Sequence, residues 1–192
     1  MGGKAMAPFE YLLLFASVVL GLSLAELAVG VNRLLRDWDR VRWDWLAPMA
    51  AVLAFLKIVT QWWLWHSVEK LAANLTFEMF LTELVGTMLV FLIAATPLPE
   101  VKEDGVDLRV HWDRVGKRYW TLFLLHWLLS TGVSLWGQVM ILHRTLNLLT
   151  PVMLVGPVLV TLMFIRNRWL QAAGILLFAG LFLYQSGGTT LS

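Results

Sequence analysis

The chain has 192 residues, of which 59% are hydrophobic and only 15% are charged, and its mean hydropathy is +0.71. Soluble domains usually contain about 45–50% apolar residues, so this composition excludes an ordinary water-soluble domain and indicates an integral membrane protein. The formal charge of +2 is nearly neutral, and the absence of cysteine excludes disulfides and thiolate metal sites.

Six apolar segments predict six transmembrane helices. Each has roughly 20 residues, the length that a hydrocarbon core of about 30 Å requires. Helices are expected because an open sheet cannot satisfy its backbone hydrogen bonds in lipid. The predicted spans are residues 11–35, 45–65, 77–96, 119–142, 148–165 and 169–185. We therefore expect an all-α bundle that forms a single transmembrane domain over residues 1–192.

Positive charge is concentrated in the loops that follow the first, third and fifth spans. Eleven of the fifteen Lys and Arg residues lie in these loops or, in the case of Arg33, in the last turn of the span before them. By the positive-inside rule these loops face the cytoplasm, and both termini lie on the outer side. We therefore predict a multi-pass protein of the bacterial inner membrane. Residues 23–25 imitate a signal-peptide cleavage site, but the apolar pattern continues to Leu35, so we expect the first span to be retained.

The only sizeable predicted loop runs from Leu98 to Lys117. Its basic and aromatic end is expected to rest on anionic lipid headgroups, and we expect no nucleic-acid partner. Its acidic residues are typical of a solvated turn and indicate no catalytic site. These residues are Glu100, Glu103, Asp104 and Asp107. A glycine-rich phosphate-binding motif is also missing, so we expect the protein not to be an enzyme.

Away from the span ends, four ionisable side chains lie well inside the predicted spans, where inserting a charge costs about 2.5–3.5 kcal/mol. They are Glu26, Lys57, Glu83 and His126. Lys57 and Glu83 lie in neighbouring spans, and each is displaced from the middle of its span toward the outer side of the membrane. This placement permits an ion pair near the midplane. Glu26 and His126 are displaced toward the cytoplasm by about four or five residues and share a depth that permits a second pair.

Polar residues one helical turn away extend this pattern. Gln61 follows Lys57 and Thr87 follows Glu83 at the spacing of one helix face. From His126, three more polar residues recur at every fourth position, and we expect this stripe to face away from lipid. They are Ser130, Ser134 and Gln138. Together these residues predict a polar path for a proton or a monovalent cation, through a channel or a transporter.

Two alternatives explain the same residues without ion transport. Buried polar side chains often only join helices by hydrogen bonds, in which case the protein is a non-transporting assembly or sensor subunit whose charges recognise a partner helix. A haem- or quinone-binding redox protein is the other alternative, because His66 and His143 lie at the outer ends of two spans. No further ligand cluster is evident in the sequence, and we expect no metal and no cofactor.

Small residues form a ridge on the first span at Ser17, Gly21 and Ala25. Such ridges let two helices approach closely, and Glu26 lies on roughly the opposite side. We therefore expect the first helix to lie centrally, at the bundle axis or at the interface of a homo-oligomer. The lipid bilayer and a small ion are the other expected partners.

Short motifs resemble those of known membrane proteins. The first helix, the second span and the exit of the third resemble a family of uncharacterised bacterial six-pass integral membrane proteins, through Phe9-Glu10-Tyr11, Trp62-Trp63 and Pro97-Leu98-Pro99. The end of the second span, from Trp62 to His66, is weakly similar to bacterial relatives of the endolysosomal potassium channel. That resemblance implies a tetramer whose first helix lines the pore, although the Phe-Ser-Asp signature expected in the first helix is missing and Phe15-Ala16-Ser17 stands nearby instead.

Overall fold

The computed structural model describes residues 8–67, 76–140 and 152–187, and the side chains of 11–63, 76–135 and 155–184. Within these ranges the chain is almost entirely helical, so the all-α prediction is confirmed. The helices are α1 (Pro8–Arg36), α2 (Leu46–Ser67), α3 (Phe77–Ala95), α4 (Leu108–Met140), α5 (Val152–Phe164) and α6 (Arg168–Gly187). The sequence did not predict the short parallel pair of β1 (Val41–Arg42) and β2 (Val106–Asp107).

Three of the described helices are long and apolar enough to cross a bilayer. The qualifying stretches are Tyr11–Arg36, Leu46–Trp63 and Phe77–Ala95, which coincide with the first three predicted spans. Two more apolar helical stretches, Val155–Phe164 and Arg168–Tyr184, are shorter. These lengths and compositions are those of a membrane protein.

Helix α2 lies at the centre of the bundle. It contacts α1, α3, α4 and α6, whereas α1 packs chiefly on α3 and α5 packs chiefly on α4. Ala47, Ala50 and Ala54 on α2 have no exposed surface, and their small side chains let the neighbouring helices approach closely. Tyr119 of α4 comes near enough to donate a hydrogen bond to the Ala50 carbonyl oxygen at 2.7 Å. Within the single chain, α2 rather than α1 is therefore the central helix.

Helix α4 begins at Leu108, well before the predicted start of the fourth span at residue 119. Asp107 caps it, because its Oδ1 atom accepts the backbone N–H groups of Arg109 at 2.9 Å and Val110 at 3.0 Å. Leu108 and Trp112 are buried against the rest of the bundle. The last part of the predicted loop is thus a packed extension of α4, and the predicted boundary is corrected accordingly.

The loops that follow α1, α3 and α5 meet at one end of the bundle, which we call the basic end. β1 in the first loop pairs with β2 in the third. Gly105 permits this approach, because its φ is +81° and an added Cβ would lie 2.5 Å from the Arg40 carbonyl oxygen. Arg168, at the start of α6, forms an ion pair with Asp44 just before α2. Direct contacts thus join the loop after α1 to the loop after α3 and to the start of α6.

Helix α6 returns beside α5 and stabilises its end through Gln171. The Gln171 Nε2 atom donates hydrogen bonds to the carbonyl oxygens of Leu162 and Ile165, both at 2.7 Å. Its Oε1 atom accepts a hydrogen bond from Trp120 Nε1 of α4 at 2.5 Å. The last carbonyl groups of a helix lack intrahelical donors, so this single buried amide supplies them and connects three helices.

Candidate functional site

Lys57 lies on the buried face of α2, where only 8% of its surface is exposed. Its Nζ atom donates a hydrogen bond to Gln61 Oε1 at 2.8 Å, one turn further along the same helix. The ammonium group also lies 5.6 Å from the ring centroid of Phe182 on α6, within the range of a cation–π interaction. The charge is therefore held inside the bundle by one polar and one aromatic neighbour.

Glu83 of α3 brings the opposite charge to this position. Its side chain is half-buried, and its carboxylate interacts electrostatically with Lys57 where α2 and α3 pack together. The structure thus brings together the two residues that the sequence places at matching depths. The attraction between opposite charges offsets part of the free energy that each charge loses when it leaves water for an apolar environment.

His126 of α4 is a third titratable group beside the same lysine. It is 5% exposed, and the Lys57 charge acts on its ring. Its Nδ1 atom lies 3.3 Å from Ser130 Oγ, a long hydrogen bond along α4. Three helices therefore each contribute one titratable side chain near Lys57, of which Lys57 and His126 are buried and Glu83 is half-buried. We call Lys57, Gln61, Glu83 and His126 the central cluster.

The two buried threonines next to this cluster use their hydroxyl protons within their own helices. Thr87 Oγ1 donates to the Glu83 backbone oxygen at 2.8 Å, and Thr60 Oγ1 donates to the Lys57 backbone oxygen at 3.2 Å. Both side chains are almost completely buried. The predicted path residue Thr87 therefore lies beside the central cluster, but its hydroxyl proton goes to the α3 backbone.

The polar stripe of α4 turns away from the bundle interior. His126 is buried, whereas Ser130 and Ser134 are exposed on the surface of the chain. A repeat of four residues advances about 40° beyond one full helical turn at each step. A stripe that starts on the buried face at His126 thus turns away from it, and both Ser130 and Ser134 lie at the outer surface. The side chain of Gln138, which continues the predicted stripe, lies outside the described residues.

Glu26 stands apart from the central cluster. It is half-buried on α1, the helix that packs on α3 and α2. Within the described part of the chain it has no hydrogen bond or ion pair. His126 has its hydrogen-bond contact with Ser130 and interacts electrostatically with Lys57, so the two residues predicted to share a depth are not brought together as a pair.

The ridge of small residues on α1 faces outward from the single chain. Ser17, Gly21 and Ala25 are all exposed. A Cβ atom added at Gly21 would meet no atom within 4 Å. The close helix packing that the ridge predicts is therefore not used within one copy of the chain.

The haem alternative depends on His66 and His143. The side chains of His66 and His143 lie outside the described residues. Among the residues that the structure describes, no three His, Cys, Asp or Glu side chains are grouped as metal ligands. The haem alternative thus stays a prediction from the sequence.

Two grooves run along the contact between α3 and α4. One, of about 340 Å³, lies at the basic end and includes His111 and Arg118 in its lining. The other, of about 370 Å³, lies toward the opposite end and includes Glu78 and Thr82. Neither groove is lined by a member of the central cluster, so neither provides an open route to Lys57.

Sequence reasoning missed two buried polar contacts that organise the basic end. They are the hydrogen bonds of the Gln171 amide and the ion pair of Asp44 with Arg168, neither of which the sequence analysis predicts. A signal was present for each: Gln171 stands at the first turn of an apolar helix, and Asp44 stands among three tryptophans within eight residues. Polar groups in such surroundings usually have buried partners.

Comparison with known proteins gives this chain no relative. Neither a protein family, a curated protein sequence nor a solved structure matches it. The functional argument therefore depends on the geometry of the site.

Proposed function

We propose that the protein is a six-span membrane protein that transfers protons across a bacterial inner membrane, with the central cluster as its exchange site. Both termini then lie on the outer side and the basic end faces the cytoplasm. The proposal is supported by the three long apolar helices and by the direct contacts that join the loop after α1 to the loop after α3 and to the start of α6 at the basic end.

The observation that carries the proposal is the convergence of Lys57, Glu83 and His126 from three helices. Each charge inside a membrane costs several kcal/mol, on the order of 2.5–3.5 by insertion scales. A neutral pair of similar size would pack these helices at lower cost. Three titratable groups that converge on the interior of the bundle, two of them buried and one half-buried, are therefore better explained by proton exchange than by packing alone.

A proton fits this site better than a monovalent cation. A metal cation needs oxygen ligands along a continuous hydrated route, and the ammonium of Lys57 would repel it at the central cluster. A proton can instead pass between hydrogen-bonded groups during brief hydration. In this scheme Glu83 takes up and releases the proton, Lys57 stabilises its ionised form, and His126 with Ser130 relays the proton along α4.

The second candidate function is a non-transporting assembly or sensor subunit. It is favoured by the absence of the central cluster from the linings of both grooves and by the hydrogen bond that Lys57 makes within its own helix. This alternative predicts no proton flux from the purified protein and recovery of a second membrane protein with it.

A homo-oligomer is part of the proposal. The outward ridge at Ser17, Gly21 and Ala25 suits close packing between two copies of α1. The exposed hydroxyls of Ser130 and Ser134 on α4 also suit a position away from lipid.

The test is proton flux into liposomes, followed with an internal pH-sensitive dye. We expect Glu83→Gln and Lys57→Met each to reduce the flux at least tenfold. Glu78→Gln is the matched control, because Glu78 lies on the same helix but is exposed at its outer end, and it should leave the flux unchanged. Wild-type flux in both cluster variants would contradict the assigned roles, and no flux from the wild-type protein would favour the assembly subunit.

A further inference from the structure

The groove at the basic end has a cationic rim and an apolar floor. Its lining combines Arg118 and His111 of α4 with side chains such as Leu92 of α3 and Leu122 of α4. Leu92 is 46% exposed and Arg118 is also exposed, so the groove is open toward the surroundings of the bundle. It encloses about 340 Å³.

The groove exists because α3 ends before α4 does. Pro97 and Pro99 stop α3 after Ala95, whereas α4 starts at Leu108 and passes beyond that end. His111 Nε2 lies 3.2 Å from the carbonyl oxygen of Thr96, and this contact closes the groove where α3 ends. A carbonyl oxygen only accepts hydrogen bonds, so this nitrogen carries a proton.

The cations at the rim are not neutralised by the protein. Arg118 belongs to the groove lining, and Arg114 lies one turn before it on α4, near His111; neither has an ion pair or hydrogen bond with any described residue. Nearby carboxylates are engaged elsewhere: Glu100 pairs with Arg33 at 3.5 Å, and Asp107 caps α4. Asp113 lies on the opposite side of α4 from His111, since two residues correspond to about 200° of helix rotation.

The depth of these groups matches the geometry of a phospholipid. Arg118 immediately precedes the predicted fourth span, at the level expected for headgroups. Leu122 lies one turn, about 6 Å, further into the bilayer than Arg118. Leu92 likewise lies one turn further into the bilayer than Thr96, which follows the end of α3. From the membrane surface toward its centre, the groove therefore presents first a cation and then apolar side chains. A phospholipid presents its phosphate and then its acyl chain in the same order.

We propose that this groove binds one anionic phospholipid of the cytoplasmic leaflet, with its phosphate at Arg118 and Arg114 and an acyl chain against Leu92 and Leu122. The second groove on the same pair of helices has the carboxylate of Glu78 in its lining instead of a cation. It is expected to disfavour the same lipid, which makes the binding specific to the basic end.

Native mass spectrometry of the detergent-solubilised protein tests the proposal with phosphatidylglycerol and phosphatidylcholine of equal chain length. We expect phosphatidylglycerol to bind more tightly, and Arg118→Gln to weaken its binding about fivefold, the effect of one cation at a lipid surface. Leu122→Trp, which fills the groove without changing charge, should also weaken binding. Arg166→Gln removes an exposed cation from the same end but outside the groove, and should bind like the wild type.

Equal losses in Arg118→Gln and Arg166→Gln would show general surface attraction and overturn the proposal. Unchanged binding in both Arg118→Gln and Leu122→Trp would also overturn it. Glycerol phosphate, the headgroup without acyl chains, should not bind at the same concentration. If it binds as tightly as the lipid, the site is a free-phosphate site and the lipid proposal is wrong.

Discussion

Arg168 and Asp44 form a largely buried ion pair that joins the start of α6 to the segment before α2. Their side chains are 21% and 10% exposed, and the second carboxylate oxygen of Asp44 is buried without another partner in the described structure. Because the two residues are 124 positions apart, the pair fixes how distant parts of the chain meet at the basic end.

Removing one member of this pair should destabilise the protein strongly. Arg168→Met leaves the Asp44 carboxylate buried and uncompensated, which typically costs about 3 kcal/mol. The expected fall in melting temperature is roughly 5–10 °C, measured by thermal unfolding in detergent. Glu100→Gln is the control, because the Arg33–Glu100 pair is 3.5 Å long and Glu100 is 81% exposed. A similar effect of both substitutions would contradict the importance of burial.

Replacing Gln171 with leucine should also lower stability. The substitution keeps the size of the side chain but removes the donor for the Leu162 and Ile165 carbonyl oxygens and the acceptor for Trp120 Nε1. Buried polar groups left without partners cost about 1–3 kcal/mol each. We expect a loss of at least about 2 kcal/mol by the same unfolding measurement.

The coupling between Gln171 and Trp120 can be tested with a double variant. Trp120→Phe should reduce stability less in the Gln171→Leu background than in the wild type, because the two residues share a hydrogen bond. Full additivity would contradict that coupling.

The pH dependence of stability should include a contribution from His111. Burial lowers the pKa of this histidine below its ordinary value; the Thr96 carbonyl raises it in part and the nearby Arg114 charge lowers it again. The unfolded chain then binds a proton at higher pH than the folded chain, so stability falls as the pH drops below about 6.5.

Thermal unfolding in lipid-free detergent at pH 7.5 and 5.5 checks this contribution. The wild type should lose more stability between these pH values than His111→Gln, which lacks the titrating ring. Carboxylates contribute equally to both proteins, so their effect cancels in the comparison. Identical losses in the two proteins would show that His111 does not contribute.

The small-residue ridge should determine the oligomeric state. Gly21→Leu introduces a bulky side chain where the single chain leaves open space, so the fold of each copy should be retained. We expect a shift to a smaller species by light scattering coupled to size-exclusion chromatography. Gly180→Leu is a matched control, because Gly180 on α6 is also exposed with nothing near its Cβ position. An unchanged mass for Gly21→Leu would exclude the ridge as the interface.

The helical segments were largely predictable because apolar composition decides them. The first three predicted spans coincide with α1, α2 and α3 to within a few residues at each end. The start of α4 was missed because Arg109, Arg114 and Arg118 made the segment resemble a charged loop. The cap at Asp107 was a visible signal, but its hydrogen bonds depend on backbone geometry that composition does not reveal.

The sequence predicts the depth of the cluster residues along their helices, but it does not predict which helices face each other. Lys57 and Glu83 could be placed at similar levels by counting residues, and they are brought together. The association of His126 with Lys57, rather than with Glu26, depends on which helices are neighbours. That choice is determined by packing over whole helix faces, such as the alanine face of α2, and a single sequence does not reveal it.

The most direct test of the central claim is the proton permeability of liposomes that contain only this protein. A potassium gradient with valinomycin provides the driving potential, and an internal pH dye records proton entry. We predict entry well above that of protein-free liposomes, and a return to that background in Glu83→Gln. Wild-type protein that leaves the permeability at the protein-free level would contradict proton transfer through the central cluster.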